Sequence, residues 1–304
     1  MVNVRLKASE LRRVNTIICD IIAQRPQELS WLRDTSTPAD SVPDDAIVGI
    51  RTHEENVVFL GAFLPLVTFW QKVHDDIRDA AARQIALSLP RVANPTPNEI
   101  DISSRSSEPT RYNLQQAFGA IYSSIIFCWL SKAGYTCEFI PPGKSKSPDI
   151  LVKNDNLLIE CKDTLSEVKG TEDLLRLKRK LYKILKEAQQ QLDSYDPKME
   201  HIVFLDLPWG GFELLYNLPK EEADLFWLKV LNLRRVLVPK GVCTPRSTLR
   251  NAQGLFVTAF GIKPLKNDDG SISFRGSAWL KPITSPFFDN PSNVMNQKLK
   301  RAWD

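Results

Sequence analysis

The chain has 304 residues, 43% of them hydrophobic and 25% charged, with 40 Lys and Arg against 36 Asp and Glu for a formal net charge of +4. That length exceeds one average domain and supports a sizeable core, so two domains, or one with large additions, are expected. The small net charge excludes a polycation that coats nucleic acid indiscriminately; any such affinity must rest on local basic surface.

Charges interrupt the N-terminal MVNVRLKASELRRV where a signal peptide needs an unbroken apolar core. The longest apolar stretch, VVFLGAFLPLVTFW, is too short for a bilayer and contains Gly61 and Pro65, so it reads as a buried helix. The five cysteines, Cys19, Cys128, Cys137, Cys161 and Cys243, are odd in number and scattered, with no CxxC pair. This argues against a disulfide framework and a structural zinc site, and fits a soluble protein of the reducing cytoplasm with no membrane partner.

Leu11, Val14, Ile17, Ile18, Ile21 and Ile22 recur at helical spacing within residues 7–24, and a helical pattern continues over 53–88. Residues 1–90 therefore read as a helical domain. From Leu89 to Asn113 the sequence LPRVANPTPNEIDISSRSSEPTRYN loses apolar periodicity and reads as a linker, placed at 91–113.

Next come an apolar helix from Leu114 to Ala133, a turn at Gly134, and the strand YTCEFI, ended by Pro141 and Pro142. DILVKN and LLIECK then flank Asp155-Asn156, a polar pair suited to a hairpin turn. An amphipathic helix over Thr171 to Tyr195 and the strand HIVFLDL complete an α-β-β-β-α-β order within 114–217. The remainder, 218–304, reads as an α/β extension: a helix in EEADLFWLKVLNL, then the strands GLFVTAFGI and SISFRGSAWL around Asn267-Asp268-Asp269-Gly270. These strands either extend the preceding sheet or form a small cap.

Asp149 opens one strand of the hairpin, and Glu160 and Lys162 lie two apart on the other, so the period of two points both side chains to one face. Two carboxylates with the backbone carbonyl of Cys161 make a hard oxygen set suited to Mg²⁺ or Mn²⁺ rather than zinc. The lysine adds positive charge where a phosphodiester's transition state accumulates negative charge, and can orient the attacking water. A second PD pair, Pro43-Asp44, is followed by neither ExK nor paired strands. Alternation turns the Cys161 thiol to the opposite face, where it packs as a small apolar residue.

SPDILVKNDNLLIECKD resembles the signature of the PD-(D/E)XK nuclease superfamily, and the element order around it resembles that family's core, over Leu114 to Pro208. The resemblance implies an α/β fold with a restriction-endonuclease-like αβββαβ core and mixed sheet, preceded by a helical N-terminal domain. It implies a Mg²⁺- or Mn²⁺-dependent endonuclease, DNA ahead of RNA, that leaves a 5′-phosphate and a 3′-hydroxyl. Asp149 and Glu160 would hold the metal and Lys162 would position the water. Gln191, four residues before Tyr195, resembles the QxxxY feature of RecB-like members and is the fourth candidate catalytic residue.

Arg176, Lys180 and Lys183, with Lys186, form a basic stripe along the second core helix, and Lys144 and Lys146 lie in the loop PPGKSKS before Asp149; both are candidate nucleic-acid contacts. One departure from the family stands out: the first core helix carries no acid, and Ser123, Ser124, Gln115 or Gln116 occupy its place, with Glu108 and Glu138 as substitutes elsewhere. That keeps a second reading open, a non-cleaving nucleic-acid-binding or assembly subunit on the same fold. His74-Asp75 with His53 reads as a solvated face rather than a metal site. No Gly-rich phosphate loop is present, so a motor or sensor would be a separate subunit; a homodimer is the other partnership considered. Restriction, phage defence and repair are the settings such a chain suits.

Overall fold

The computed structural model describes residues 2–29, 32, 41–52, 54–89, 114–141, 147–163, 174–196, 198–207, 214–231, 234–238, 242–246, 252–283 and 291–303. The expected linker at 91–113, the basic loop residues Lys144 and Lys146, Glu108 and His53 lie outside them. The chain divides into two compact units, residues 1–132 with 261–278, and residues 133–260 with 279–304.

The first unit contains β1 (Val2–Lys7), α1 (Ala8–Gln24), β2 (Ile47–Thr52), α2 (Glu54–Trp70), α3 (Asp75–Ser88) and α4 (Leu114–Lys132). The stripe of α1 is buried as its spacing requires, from Leu11 to Ile22. The apolar stretch ending at Trp70 is α2, with Phe63, Phe69 and Trp70 fully buried. Phe69 stacks on Trp129 of α4, ring centroids 5.5 Å apart, and Trp70 Nε1 donates to Asp20 Oδ2 at 2.7 Å. No helix among the described residues is long and apolar enough to cross a membrane.

Two strands correct the expectation of an all-helical N-terminal region. In VNVRLK the apolar residues alternate, and Val4 and Leu6 are buried. β1 pairs antiparallel with β2 from Val2↔Thr52 to Lys7↔Ile47, and parallel with a later strand at Val4↔Ile272. The pattern is only six residues long and runs straight into a helix, so local periodicity hides it.

The second unit contains β3 (Cys137–Phe139), β4 (Ile150–Val152), β5 (Leu157–Asp163), α5 (Leu174–Tyr195), β6 (Glu200–Asp206), α6 (Lys220–Val230), β7 (Arg234–Val238), β8 (Val242–Arg246) and α7 (Pro291–Trp303). β9 (Ala252–Lys266) and β10 (Ile272–Ile283) contribute residues to both units. The class is mixed α/β. The strands run in the order β9-β6-β5-β4-β3, with β3/β4 and β4/β5 antiparallel and β5/β6 and β6/β9 parallel. β9 therefore extends the preceding sheet, settling the alternative left open by the sequence. The expected turn before β10 is present, with Gly270 at φ 79° and its N–H donating to Asn267 O at 2.9 Å.

β7 and β8 form a separate antiparallel pair and α7 a C-terminal helix, neither expected from the sequence. α7 buries Met295, Leu299 and Ala302 at helical spacing, three positions in an otherwise polar tail.

Residues paired across neighbouring strands share a face, so Leu158, Glu160 and Lys162 of β5 line up with His201, Val203 and Leu205 of β6. Leu177, Leu181, Leu185, Ala188 and Leu192 of α5 pack on that face, in one cluster with Leu158, Val203 and Leu205. Burying so many aliphatic side chains contributes about 1.5–3 kcal/mol each and fixes the helix on the sheet.

Candidate active site

The β4–β5 hairpin sets the geometry. Asn156 adopts the left-handed conformation at φ 50°, which Asn tolerates better than most residues, and reverses the chain after Asp155. The register Ile150↔Ile159 then brings Asp149, one residue before β4, opposite Glu160, with Lys162 two residues further on the same face. Main-chain bonds hold Asp149 on both sides: its N–H donates to Ile159 O at 3.1 Å, and its carbonyl accepts from Ile140 N at 3.0 Å. Its carboxylate Oδ2 accepts the Cys161 N–H at 2.7 Å, extending the hairpin one bond beyond the strand.

Glu160 is 1% exposed, and a charge so deeply buried requires a counter-charge. Lys162 Nζ supplies it at 2.5 Å from Glu160 Oε1 and also donates to Gln191 Oε1 of α5. Gln191 Nε2 in turn reaches Ser147 O at 3.4 Å, which ties α5 to the backbone just before Pro148-Asp149. The Lys162 side chain is 20% exposed against 2% for Glu160, so solvent meets the cluster at the lysine.

Burial pushes the Asp149 carboxyl up to about 6, against the lowering effects of the Cys161 N–H and the Lys162 charge. Such a carboxyl is best served by a nearby cation. In a strand the N–H and C=O of one residue point to the same side, so the Cys161 carbonyl faces the Asp149 side rather than β6. Two carboxylates and that main-chain oxygen fit a hard divalent cation by donor chemistry. Among the described residues no three His, Cys, Asp or Glu side chains cluster as a metal site. Burial raises the Cys161 thiol well above its ordinary value, and the charges of Asp149 and Glu160 add to the rise. That suits an inert, packed thiol.

Asp149, Glu160, Lys162 and Gln191 are thus brought together. Arg176 and Lys183 are exposed and Lys180 half-buried on α5. Ser123 Oγ donates to Ala120 O at 3.1 Å and Ser124 Oγ to Ala81 O at 3.5 Å, so both serve helix carbonyls. Gln116 is exposed, and Glu138 pairs with Lys153 at 2.6 Å. His74 precedes the first turn of α3, and Asp75 pairs with Arg78.

Sequence reasoning passed over Asp206, at the end of β6 on the opposite face. It is 1% exposed and accepts from Thr258 Oγ1 at 2.9 Å and Phe260 N at 3.1 Å, clamping β9 to β6. Burial and the facing charge of Asp163 push its carboxyl well above the usual range. A lone acid inside the apolar run HIVFLDL was the available signal.

Comparison with protein-family models, curated proteins and solved structures gives no match.

Proposed function

We propose that this chain is a Mg²⁺- or Mn²⁺-dependent endonuclease with a restriction-endonuclease-like core, acting on DNA ahead of RNA. The observation that carries the reading is the convergence of Asp149, Glu160 and Lys162 on one sheet face, with Gln191 of α5 bonded to the lysine. The strand order and directions, with α5 joining the parallel pair β5/β6, support the core assignment. Asp149, Glu160 and the Cys161 carbonyl would hold the cation, which supplies Lewis-acid polarisation of a phosphoryl oxygen and of water.

In this reading Lys162 Nζ orients the attacking water and faces the charge that builds on the phosphoryl oxygens. Gln191 fixes the lysine's direction: its amide oxygen accepts from Nζ while its amide nitrogen is committed to Ser147 O. Glu160 Oε1 pairs with the ammonium at 2.5 Å from the buried side of the cluster. The cytoplasm, and a homodimer or a separate motor or sensor subunit, complete the proposal.

One observation favours a non-cleaving binding or assembly subunit instead: α4 carries no Asp or Glu, and Ser123 and Ser124 donate to helix carbonyls. The two readings separate when wild type and Lys162→Ala are incubated with supercoiled plasmid, linear duplex, single-stranded DNA and RNA in Mg²⁺, Mn²⁺ or EDTA. Calorimetric titration of Mn²⁺ into wild type and Asp149→Ala accompanies this. Metal-dependent cutting by wild type alone, with Mn²⁺ binding lost in Asp149→Ala, supports the nuclease. Nucleic-acid binding by both proteins, with no cutting and no Mn²⁺ uptake, supports the subunit.

A further inference from the structure

Glu160 has two claimants. Its Oε1 pairs with Lys162 Nζ at 2.5 Å, on a carboxylate that is buried. By donor chemistry the same carboxylate belongs, with Asp149 and the Cys161 carbonyl, to an oxygen set suited to a hard divalent cation. The lysine's charge also reaches Asp149, where it acts with the Cys161 N–H against the larger effect of burial. Lys162 thus gives both carboxylates, from their own sheet face, the positive charge that a divalent cation would give them. Two cations on one buried carboxylate repel strongly, because the interior screens them far less than water does.

The ammonium is the partner with room to move. It is a point charge on a flexible stem, and the Lys162 side chain is 20% exposed against 2% for Glu160. Gln191 gives it a second acceptor: the amide Oε1 already accepts from Nζ, and Nε2 is held by Ser147 O at 3.4 Å, which fixes which end of the amide faces the lysine. An amide oxygen accepts without carrying charge, so it holds the ammonium without competing for a divalent cation as a carboxylate would.

We infer that Lys162 and a divalent cation exchange on Glu160, the ammonium neutralising the carboxylate until the cation is taken up and then withdrawing to Gln191. The inference rests on the nuclease reading for the cation itself. Exchange makes Lys162 a competitor of cation uptake and makes Gln191 the residue that sets how firmly it competes. It also ties the lysine's availability to loading of the site, since Nζ paired with Glu160 has one donor fewer to offer a phosphoryl oxygen.

The test is calorimetric titration of Mn²⁺, without nucleic acid, into wild type, Lys162→Met, Gln191→Met and the double variant. The rise in thermal midpoint on adding Mn²⁺ is measured beside it, and it reads the same order of affinities if Lys162→Met melts too low to titrate. Lys162→Met should bind about tenfold or more tightly than wild type, because no ammonium has to be displaced and Glu160 has lost its counter-charge. Gln191→Met should bind about threefold to tenfold more weakly, because the ammonium has lost its second acceptor and stays with Glu160. The double variant should match Lys162→Met, since Gln191 acts only through the lysine.

A cluster that is merely loosened by substitution weakens Mn²⁺ binding in all three variants, and that result overturns the inference. So does tighter binding by Lys162→Met with Gln191→Met equal to wild type, which would be repulsion at a distance without exchange. The expected order of affinities in a protein that cuts nothing in Mg²⁺ keeps the exchange and removes the nuclease reading. Cutting by wild type, with one Mn²⁺ affinity shared by all four proteins, does the reverse. No uptake of Mn²⁺ by any of the four removes both.

Discussion

Gln191 occupies a border position on α5, half-exposed between leucines and lysines, and its two amide ends are committed to different partners, Lys162 and Ser147. Substitution distinguishes the ends. Gln191→Met should leave the fold intact and lower the cleavage rate by about tenfold to a hundredfold, the range for a lost charge-orienting hydrogen bond of about 1.5–3 kcal/mol. Gln191→Glu should fall between Met and wild type, because a carboxylate still accepts from Lys162 but is repelled by the Ser147 carbonyl. Single-turnover rates on one oligonucleotide measure both.

Asp206 belongs to the same scale but to stability. Its folded carboxyl holds its proton to a higher pH than the unfolded one, so the folded chain binds more protons above the ordinary value of 3.8. Stability from this group therefore falls as pH rises from the usual carboxylate range towards the folded value. Asp206→Asn is neutral throughout and still accepts from Thr258 and Phe260 through its amide oxygen. Its melting temperature should exceed that of wild type at pH 8, and the difference should shrink towards pH 4. A difference independent of pH would show that the carboxyl is not the cause.

At the scale of elements, the β4–β5 hairpin was readable because everything that specifies it is local: two apolar runs, a polar Asp-Asn pair and a period of two. Asn156 carries the reversal at φ 50°. Asn156→Val should cost about 1–2 kcal/mol in urea unfolding, and Asn156→Gly only a few tenths. In α5, Leu181 is fully buried, and Leu181→Ala should cost about 2–5 kcal/mol. β1 and β2 were illegible for the opposite reason. Their pairing partners come from distant sequence, Val4 meeting both Ile50 and Ile272, and no local window contains that information. The β7–β8 pair hides behind arginines and Pro245, and α7 behind a polar tail with three buried positions.

For the whole molecule, the sequence motif and the fold carry different parts of the account. Asp149, Glu160 and Lys162 were legible from residue type and strand parity. The Lys162–Gln191–Ser147 chain was legible only in part, since spacing places Gln191 beside the buried stripe but cannot say which strand residue it meets. Asp206 and the commitments of Ser123 and Ser124 depend on tertiary contacts that no spacing rule encodes. The central claim, that the β4–β5 face is a cation-dependent phosphodiesterase, is tested most directly by single-turnover cleavage of labelled duplex and single-stranded DNA in Mg²⁺, comparing wild type with Lys162→Met at matched melting temperature. Cutting by wild type that EDTA abolishes and Lys162→Met slows at least about a hundredfold, or about 2.7 kcal/mol of barrier, is the expected result. Equal rates in the two proteins, or cutting that survives EDTA, would contradict it.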